Sequence, residues 1–245
     1  MDGSEGADSG LIGIGLYTVP EAARLTGIPQ ARLRRWLRGY TYAAGEGRAA
    51  ASQPVWQRQL PEIDGTLGLG FLDLMEARFI DAFRKAGVPW RVIRLGAERA
   101  REIGGADHPF SSQRFRTDGR TIFTEIVDQA REPQLLDLVK SQFAFARVIG
   151  PSLYAGIEFS NRDPEPGEGP VRWWPLGRQT PVVIDPARNF GTPIISTGGI
   201  PTAVLADAVA AEGSVAKVAR LFRLSPRSVD AALRFEQRLS DRLAA

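Results

Sequence analysis

The 245-residue chain contains no cysteine, one histidine and only three lysines. Without cysteine there is no disulfide framework, no thiolate nucleophile and no cysteine-ligated zinc or iron–sulfur centre. A lone His108 removes most histidine-based catalysis and most multi-histidine metal sites. It sits between Asp107 and Pro109 and reads as a loop histidine, because no nucleophile or second histidine accompanies it. Glu125, Asp128, Asp137 and Asp163 are scattered and lack metal-ligand spacing. No catalytic residue, cofactor or metal is therefore expected, and the chain is not expected to be an enzyme. No apolar run approaches the ~18 residues of a spanning helix. The first ten residues are small and acidic, unlike a signal peptide, and read as a loose tail. The expectation is a cytoplasmic protein with no membrane partner.

The scarcity of lysine gives the positive charge its character, since 28 of 31 basic residues are arginine. Tyr17 to Leu60 holds seven arginines against Glu21 and Glu46. Ser214 to Ala245 holds seven basic residues against Asp230, Glu236 and Asp241. Positive charge at both ends of a chain is the footprint of a polyanionic partner.

Hydrophobic residues make up 43% of the sequence, enough for packed domains. Pro20 to Leu25 and Pro29 to Gly39 read as short helices around Thr26-Gly27-Ile28. Tyr40 to Pro61 reads as a hairpin with a Gly/Ala-rich tip. Phe71 to Ala86 is a helix with an apolar face of Leu72, Met75, Phe79 and Phe83, and a further helix runs from Pro89 to Ile103. Asp118-Gly119 marks a hairpin turn between Phe115 and Phe123, and Pro133 to Ile149 a long helix with a broad apolar face. Three short strands follow at Tyr154–Phe159, Val171–Pro175 and Pro181–Ile184. After the Gly/Thr/Pro-rich stretch 191–201 the chain is helical almost to its end. The fold class is α+β and mainly helical. The expected divisions are residues 1–10 (tail), 11–105, 106–150 (hairpin and linking helix) and 151–245 (small β-meander and a trihelical helix-turn-helix-like end).

The first helix pair has helix-turn-helix spacing, with Ala23 at the crossing, Gly27 in the turn, and Ala22, Ile28, Leu33 and Trp36 inside. Its second helix then exposes Gln30, Ala31, Arg32, Arg34, Arg35 and Arg38, suited to phosphate contact and major-groove reading. The same spacing returns 196 residues later. Ala219-Arg220-Leu221 repeats Ala23-Arg24-Leu25, and Leu224, Val229 and Ala232 answer Ile28, Leu33 and Trp36. Ser225-Pro226 opens the second helix. Arg223 replaces Gly27, so this turn is expected to differ. The exposed set Arg227, Ser228, Asp230 and Arg234 has mixed sign, which favours a protein-binding module over a DNA reader. Ser196-Thr197-Gly198-Gly199 reads as a backbone turn, lacking the ending of a phosphate loop. Trp173 and Trp174 point to opposite faces of a strand, one for the core and one for a contact surface.

Tyr17-Thr18-Val19-Pro20-Glu21-Ala22-Ala23-Arg24-Leu25-Thr26-Gly27-Ile28 followed by Leu33-Arg34-Arg35-Trp36 resembles the winged helix-turn-helix domain of MerR-type regulators. Phe71-Leu72-Asp73-Leu74, Ala86-Gly87-Val88-Pro89 and Ile93 resemble that family's second helix pair. The resemblance covers residues ~11–105. It implies that Arg34 contacts DNA, that Tyr40–Trp56 is a wing, and that Arg48 and Arg58 are phosphate ligands. Phe190-Gly191-Thr192-Pro193-Ile194-Ile195, Gly199-Ile200-Pro201-Thr202 and the helices from Ala208 to Glu236 resemble the antitoxin domain of VapB-type operons. Ser196-Thr197-Gly198-Gly199 stands where that family carries Gly-Thr-Arg. This second resemblance implies an antitoxin of a type II toxin–antitoxin system that holds a PIN-type ribonuclease toxin and represses its own operator as a homodimer. Arg223, Arg227 and Trp174 are the candidate toxin-binding residues. The alternative is a stand-alone MerR-type regulator, with Trp173, Trp174 and Tyr154 lining a pocket for a small aromatic or hydrophobic ligand.

Overall fold

The computed structural model describes residues 13–43, 49–62, 64–112, 115–116, 154–160 and 169–244. Seven α-helices and short two-stranded sheets make up the described residues, an α+β and mainly helical fold. In chain order the strands are β1 (Tyr17–Thr18), β2 (Tyr40–Ala43), β3 (Ala49–Ser52), β4 (Gly68–Leu69), β5 (Ile157–Phe159), β6 (Pro170–Trp173), β7 (Val182–Val183) and β8 (Ile194–Ile195). The helices are α1 (Val19–Thr26), α2 (Gln30–Arg38), α3 (Phe71–Lys85), α4 (Trp90–Gly104), α5 (Thr202–Glu212), α6 (Val215–Leu221) and α7 (Pro226–Ala244). The chain divides into two compact units: residues 18–154 with 159–170, and residues up to 17 with 155–158 and 171–245. The hairpin read at Asp118-Gly119 and the helix read over Pro133–Ile149 lie outside the described residues, as do Glu125, Asp128, Asp137 and Asp163.

In the first unit, α1 begins with a reciprocal cap. The Glu21 N–H donates to the Thr18 hydroxyl at 3.3 Å, and the Thr18 N–H donates back to the Glu21 carboxylate at 2.8 Å. Gly27 ends the helix at φ +75°, a left-handed backbone that glycine adopts without a Cβ clash. Ala22, Leu25, Ile28, Leu33, Trp36 and Leu37 are buried between α1, α2 and their surroundings. The fully buried small residue is Ala22, whereas Ala23 is half-buried. The antiparallel hairpin β2–β3 follows directly, with Tyr40 opposite Ser52 and Ala43 opposite Ala49.

α3 departs from the expected single apolar face. Phe71, Leu74, Met75, Ala77, Phe79, Ile80 and Phe83 are buried around most of its circumference, and so are the acids Asp73, Glu76 and Asp81. Buried carboxylates demand donors. Asp73 accepts from the Trp56 indole at 2.7 Å, the Gly70 N–H at 2.8 Å and the Gln59 N–H at 3.2 Å, and it meets His108 Nε2 at 2.8 Å. His108 is thus buried and satisfied by Asp73 of α3, not by its neighbour Asp107. Glu76 accepts the backbone N–H groups of Phe110 and Ser111 at 3.0 and 2.9 Å. Burial pushes its carboxyl above the ordinary glutamate range, against the pull of His108 and those two N–H groups. Tyr154 packs edge-on to Phe79 at 5.0 Å, and Phe83, Phe110 and Phe115 form an edge-to-face triad.

In the second unit β7 and β8 pair antiparallel, Val182 opposite Ile195 and Val183 opposite Ile194. β8 falls inside the stretch 191–201, where no strand was expected; two isoleucines in a glycine-rich context are too short a run to show periodicity. Trp173 and Ile184 exchange backbone bonds at 2.9 and 2.8 Å, extending the sheet toward β6. Helices α5 to α7 bury Leu205, Val218, Ala219, Val229, Ala232 and Phe235. Ser225 caps α7 by accepting the Ser228 N–H at 3.1 Å, with Pro226 as the first helical residue.

Three outcomes test this account. Asp73→Ala leaves four buried or half-buried donors without an acceptor and is expected to cost about 3 kcal/mol or more in denaturant unfolding followed by tryptophan fluorescence. Gly39 lies at φ +75° and ψ −173°, and a Cβ there would stand 2.1 Å from the Ser52 carbonyl oxygen. Gly39→Ala is therefore expected to lower stability by about 1–3 kcal/mol while shifting the hairpin amide resonances. The raised Glu76 carboxyl gives a stability contribution that is full below the ordinary glutamate range and is lost as pH rises through the raised value. Glu76→Gln is expected to flatten that part of the wild-type stability–pH curve, measured by thermal unfolding.

Candidate nucleic-acid interface

α2 is nine residues long, and its apolar positions Leu33, Trp36 and Leu37 fix its orientation. The opposite side is left to Arg32, Arg34, Arg35 and Arg38, all exposed, with Gln30 half-buried at the first turn. Each arginine has a defined neighbour. Arg34 donates to the Gln30 amide oxygen at 3.2 Å. Arg35 lies over the Tyr40 ring, 5.0 Å from its centroid. Arg32 pairs with the buried Asp81 of α3 at 3.0 Å. Arg38 pairs with Glu62, its Nε to the carboxylate at 3.2 Å, and also donates to the Gly65 carbonyl at 2.9 Å. Hydrogen bonding from Arg38 holds the Glu62 carboxyl below its ordinary range and raises Arg38 in return. Arg58 lies 3.6 Å from the same carboxylate. Arg38 and Arg58 thus meet at Glu62, while Arg34 and Arg35 carry no carboxylate partner in these contacts. Arg48 lies outside the described residues.

The hairpin is tied to the helices at its base. Arg94 of α4 donates to the Ser52 hydroxyl at 2.6 Å and to the Gln53 carbonyl, and Arg101 donates to the Val55 carbonyl at 3.3 Å. The Trp56 indole then locks the returning strand to Asp73. The arginine-bearing helix and the hairpin are therefore held as one rigid piece by polar anchors on α3 and α4. Sequence reading missed Asp73, Glu76, Asp81 and Arg94. The signal was present in Leu72-Asp73-Leu74-Met75-Glu76-Ala77, where acids interrupt an apolar run at helical spacing.

In the second unit, Trp173, the last residue of β6, is buried, and Trp174 beyond the strand is half-buried with Arg178 over its ring at 4.9 Å. Arg227 donates to the Gln179 carbonyl at 3.3 Å, which brings α7 to the turn that carries Arg178 and Trp174. Arg223 is exposed one turn earlier, at φ +55°. Its φ falls in the same left-handed region as that of Gly27, but the turns differ as expected: the Gly27 N–H donates to the Ala23 carbonyl four residues back, whereas the Arg223 N–H donates to the Arg220 carbonyl three residues back. The repeat fails elsewhere. Leu221 is 66% exposed where its counterpart Leu25 is 6% exposed, and Ser228, read as exposed, is buried beside Ser225. Asp230 and Arg234 pair with each other at 2.9 Å. Tyr154 belongs to the first unit, and Trp173 and Trp174 to the second.

The turn Ser196–Gly199 is a backbone turn, with Gly198 and Gly199 left-handed and the Gly199 N–H bonded to the Ile195 carbonyl at 3.0 Å. An arginine does stand over it, delivered from elsewhere. Arg188 donates to the Ser196 carbonyl at 3.2 Å, and a Cβ on Gly199 would lie 2.5 Å from the Arg188 guanidinium. The left-handed backbone at φ +71° favours glycine at 199, and the absence of a side chain leaves room for the Arg188 guanidinium in this position.

Among the described residues no helix is long and apolar enough to cross a membrane, and no group of three or more His, Asp or Glu side chains is placed to hold a metal. Two separate segments of the chain match known family models. Residues 15–96 match a family model described as "Putative DNA-binding HTH domain", and residues 182–235 match one described as "Protein of unknown function (DUF433)". The chain is 28% identical over 235 residues to "Putative antitoxin VapB45" of Mycobacterium tuberculosis, covering 89% of this chain and 92% of that one. The crystal structure of Rv2018 from Mycobacterium tuberculosis superposes with a TM-score of 0.66 at 24% identity, covering 91% of this chain and 99% of that one. The fold is therefore that of a solved protein, and the N-terminal helix-turn-helix is similar to a DNA-binding one.

Proposed function

We propose that the protein is the antitoxin of a type II toxin–antitoxin pair and binds its own operator DNA as a repressor. The observation that carries the reading is the exposed arginine face of α2, rigidly joined to a hairpin, inside the segment that matches a DNA-binding helix-turn-helix model. The near full-length similarity to an antitoxin supports the toxin-holding half. In this reading residues 11–105 form a MerR-like DNA-binding domain. α2 enters the major groove with Gln30, Arg32, Arg34, Arg35 and Arg38, and the hairpin brings Arg48 and Arg58 to phosphates. Residues 151–245 hold a PIN-type ribonuclease through Arg223, Arg227 and Trp174. Covering an acidic metal site with cationic side chains inhibits stoichiometrically, and the protein performs no chemistry of its own. A two-fold operator calls for a homodimer.

The test has two halves. Wild-type protein is expected to shift its upstream DNA with an affinity that falls steeply with salt. Arg34→Ala with Arg35→Ala is expected to weaken binding on the order of 10- to 100-fold or more without lowering the melting temperature. Salt-insensitive or absent binding overturns the repressor half. Co-expression with the product of the adjacent gene is expected to yield a stable complex with silenced ribonuclease activity. Failure of Arg223→Glu with Arg227→Glu to weaken that complex overturns the assigned surface, and no complex at all overturns the antitoxin half.

A further inference from the structure

A second cationic feature of the first unit joins Arg32 and Arg35 of the operator-reading helix to Arg84 and Lys85, which that reading leaves unused. Between α2, the first residue of β2 and the α3–α4 turn lies a cleft of about 440 Å³. Its walls carry four cations, Arg32, Arg35, Arg84 and Lys85, and three aromatic rings, Trp36, Tyr40 and Trp90. Asp81 bridges two of the cations, Arg32 at 3.0 Å and Lys85 at 2.6 Å. Arg35 rests on Tyr40, and Arg84 donates to the Val88 carbonyl at 3.0 Å. These contacts fix the position of each cation while occupying few of its donors, since a guanidinium has five N–H groups and an ammonium three. Four positive charges then face one negative charge, and an anion relieves their mutual repulsion.

The aromatic side of the cleft is also organised. Trp36 and Trp90 stack with centroids 5.9 Å apart and planes 16° from parallel. Trp90 opens α4, where the positive end of the helix dipole lies. Its indole N–H is buried and has no hydrogen-bond partner among the described residues. A purely apolar ligand does not suit walls with this charge, and a lone carboxylate leaves most of it uncompensated. A multiply charged anion attached to a planar ring satisfies both sides, and the volume suits a ligand of that size.

We propose that this cleft is a binding site for a phosphate ester, supplied either by the backbone of the DNA flanking α2 or by a free nucleotide whose planar base meets the aromatic wall. The first source rests on the operator-binding reading; the second does not.

The test uses the full-length chain and two probes, a fluorescent 30-base-pair duplex titrated by anisotropy across salt, and ATP titrated by tryptophan fluorescence. The variants are Arg84→Ala with Lys85→Ala, the milder Lys85→Gln, Trp90→Phe and, as the control for the helix face, Arg34→Ala. If the DNA strand is the source, the Arg84/Lys85 double variant lowers the salt slope by about two and Lys85→Gln lowers it by about one. ATP then leaves the fluorescence of the wild type unchanged. If a free nucleotide is the source, ATP quenches the wild type, Trp90→Phe loses most of that response, and the Arg84/Lys85 variant binds at least tenfold more weakly. Wild-type affinity and salt slope for the duplex in the folded Lys85→Gln and double variants, with no ATP response in the wild type, overturn the proposal. In that case a loss of duplex binding in Arg34→Ala leaves the operator reading standing. A wild type that binds ATP but no duplex keeps the site and removes the operator reading.

Discussion

The carboxylate of Asp73 holds three separate stretches of chain in one place. It collects the indole of Trp56 from the strand returning out of the hairpin, the N–H of Gly70 at the head of its own helix and the ring of His108 from the loop beyond α4. A buried charge with that many donors is stable only while all of them converge, because each donor left unpaired carries a desolvation penalty. The position of the hairpin relative to α2 therefore depends on a residue that faces neither DNA nor solvent. Asp81 repeats the arrangement about two helical turns later, joining α2 to the end of α3 through Arg32 and Lys85.

The consequence for function is rigidity at an electrostatic surface. Arginines on an isolated helix would spread their charge over many rotamers. Here Arg32, Arg35 and Arg38 each have a fixed neighbour in Asp81, Tyr40 and Glu62. Pre-placed guanidinium groups lose less entropy on meeting a phosphate, which favours a reading surface over a merely soluble one. The cleft beside Arg84 and Trp90 continues that cationic surface into a concave, aromatic-walled site.

The two helix pairs show how far one spacing reaches. Both turns place a residue in the left-handed region, Gly27 at φ +75° and Arg223 at φ +55°. Glycine adopts this at little cost, whereas the arginine bears strain that its surroundings must offset. The similar φ does not carry a shared surface. α2 faces outward with arginines on successive turns, while α7 neutralises Arg234 with Asp230 and buries Ser228. Leu25 is core and Leu221 is surface, so the second pair is anchored by Val218 and Ala219 instead. The two helix pairs therefore present different surfaces despite their similar spacing.

Local chemistry made much of this legible in the sequence. Pro20, Gly27, Gly87 and Pro226 punctuate helices through backbone constraints that act within a few residues, so α1 to α4 and α7 were readable to within about two residues. Arginine spacing on α2 was readable for the same reason, since helical periodicity alone decides which side chains share a face. Tertiary structure decided what depends on residues distant in the chain. Gly70 and Lys85 are local partners of Asp73 and Asp81, but nothing nearby announces the donors that tie these acids and Glu76 to other elements, Trp56, Arg32 and Phe110, which come from 17, 49 and 34 positions away. β8 exists because Val182 and Val183 pair with it, not because Ile194-Ile195 has a strong pattern. Arg188 reaches the Ser196–Gly199 turn only once the chain has folded back. The sequence determined the helices and the charge they display; long-range pairing of buried polar groups determined where that charge is held.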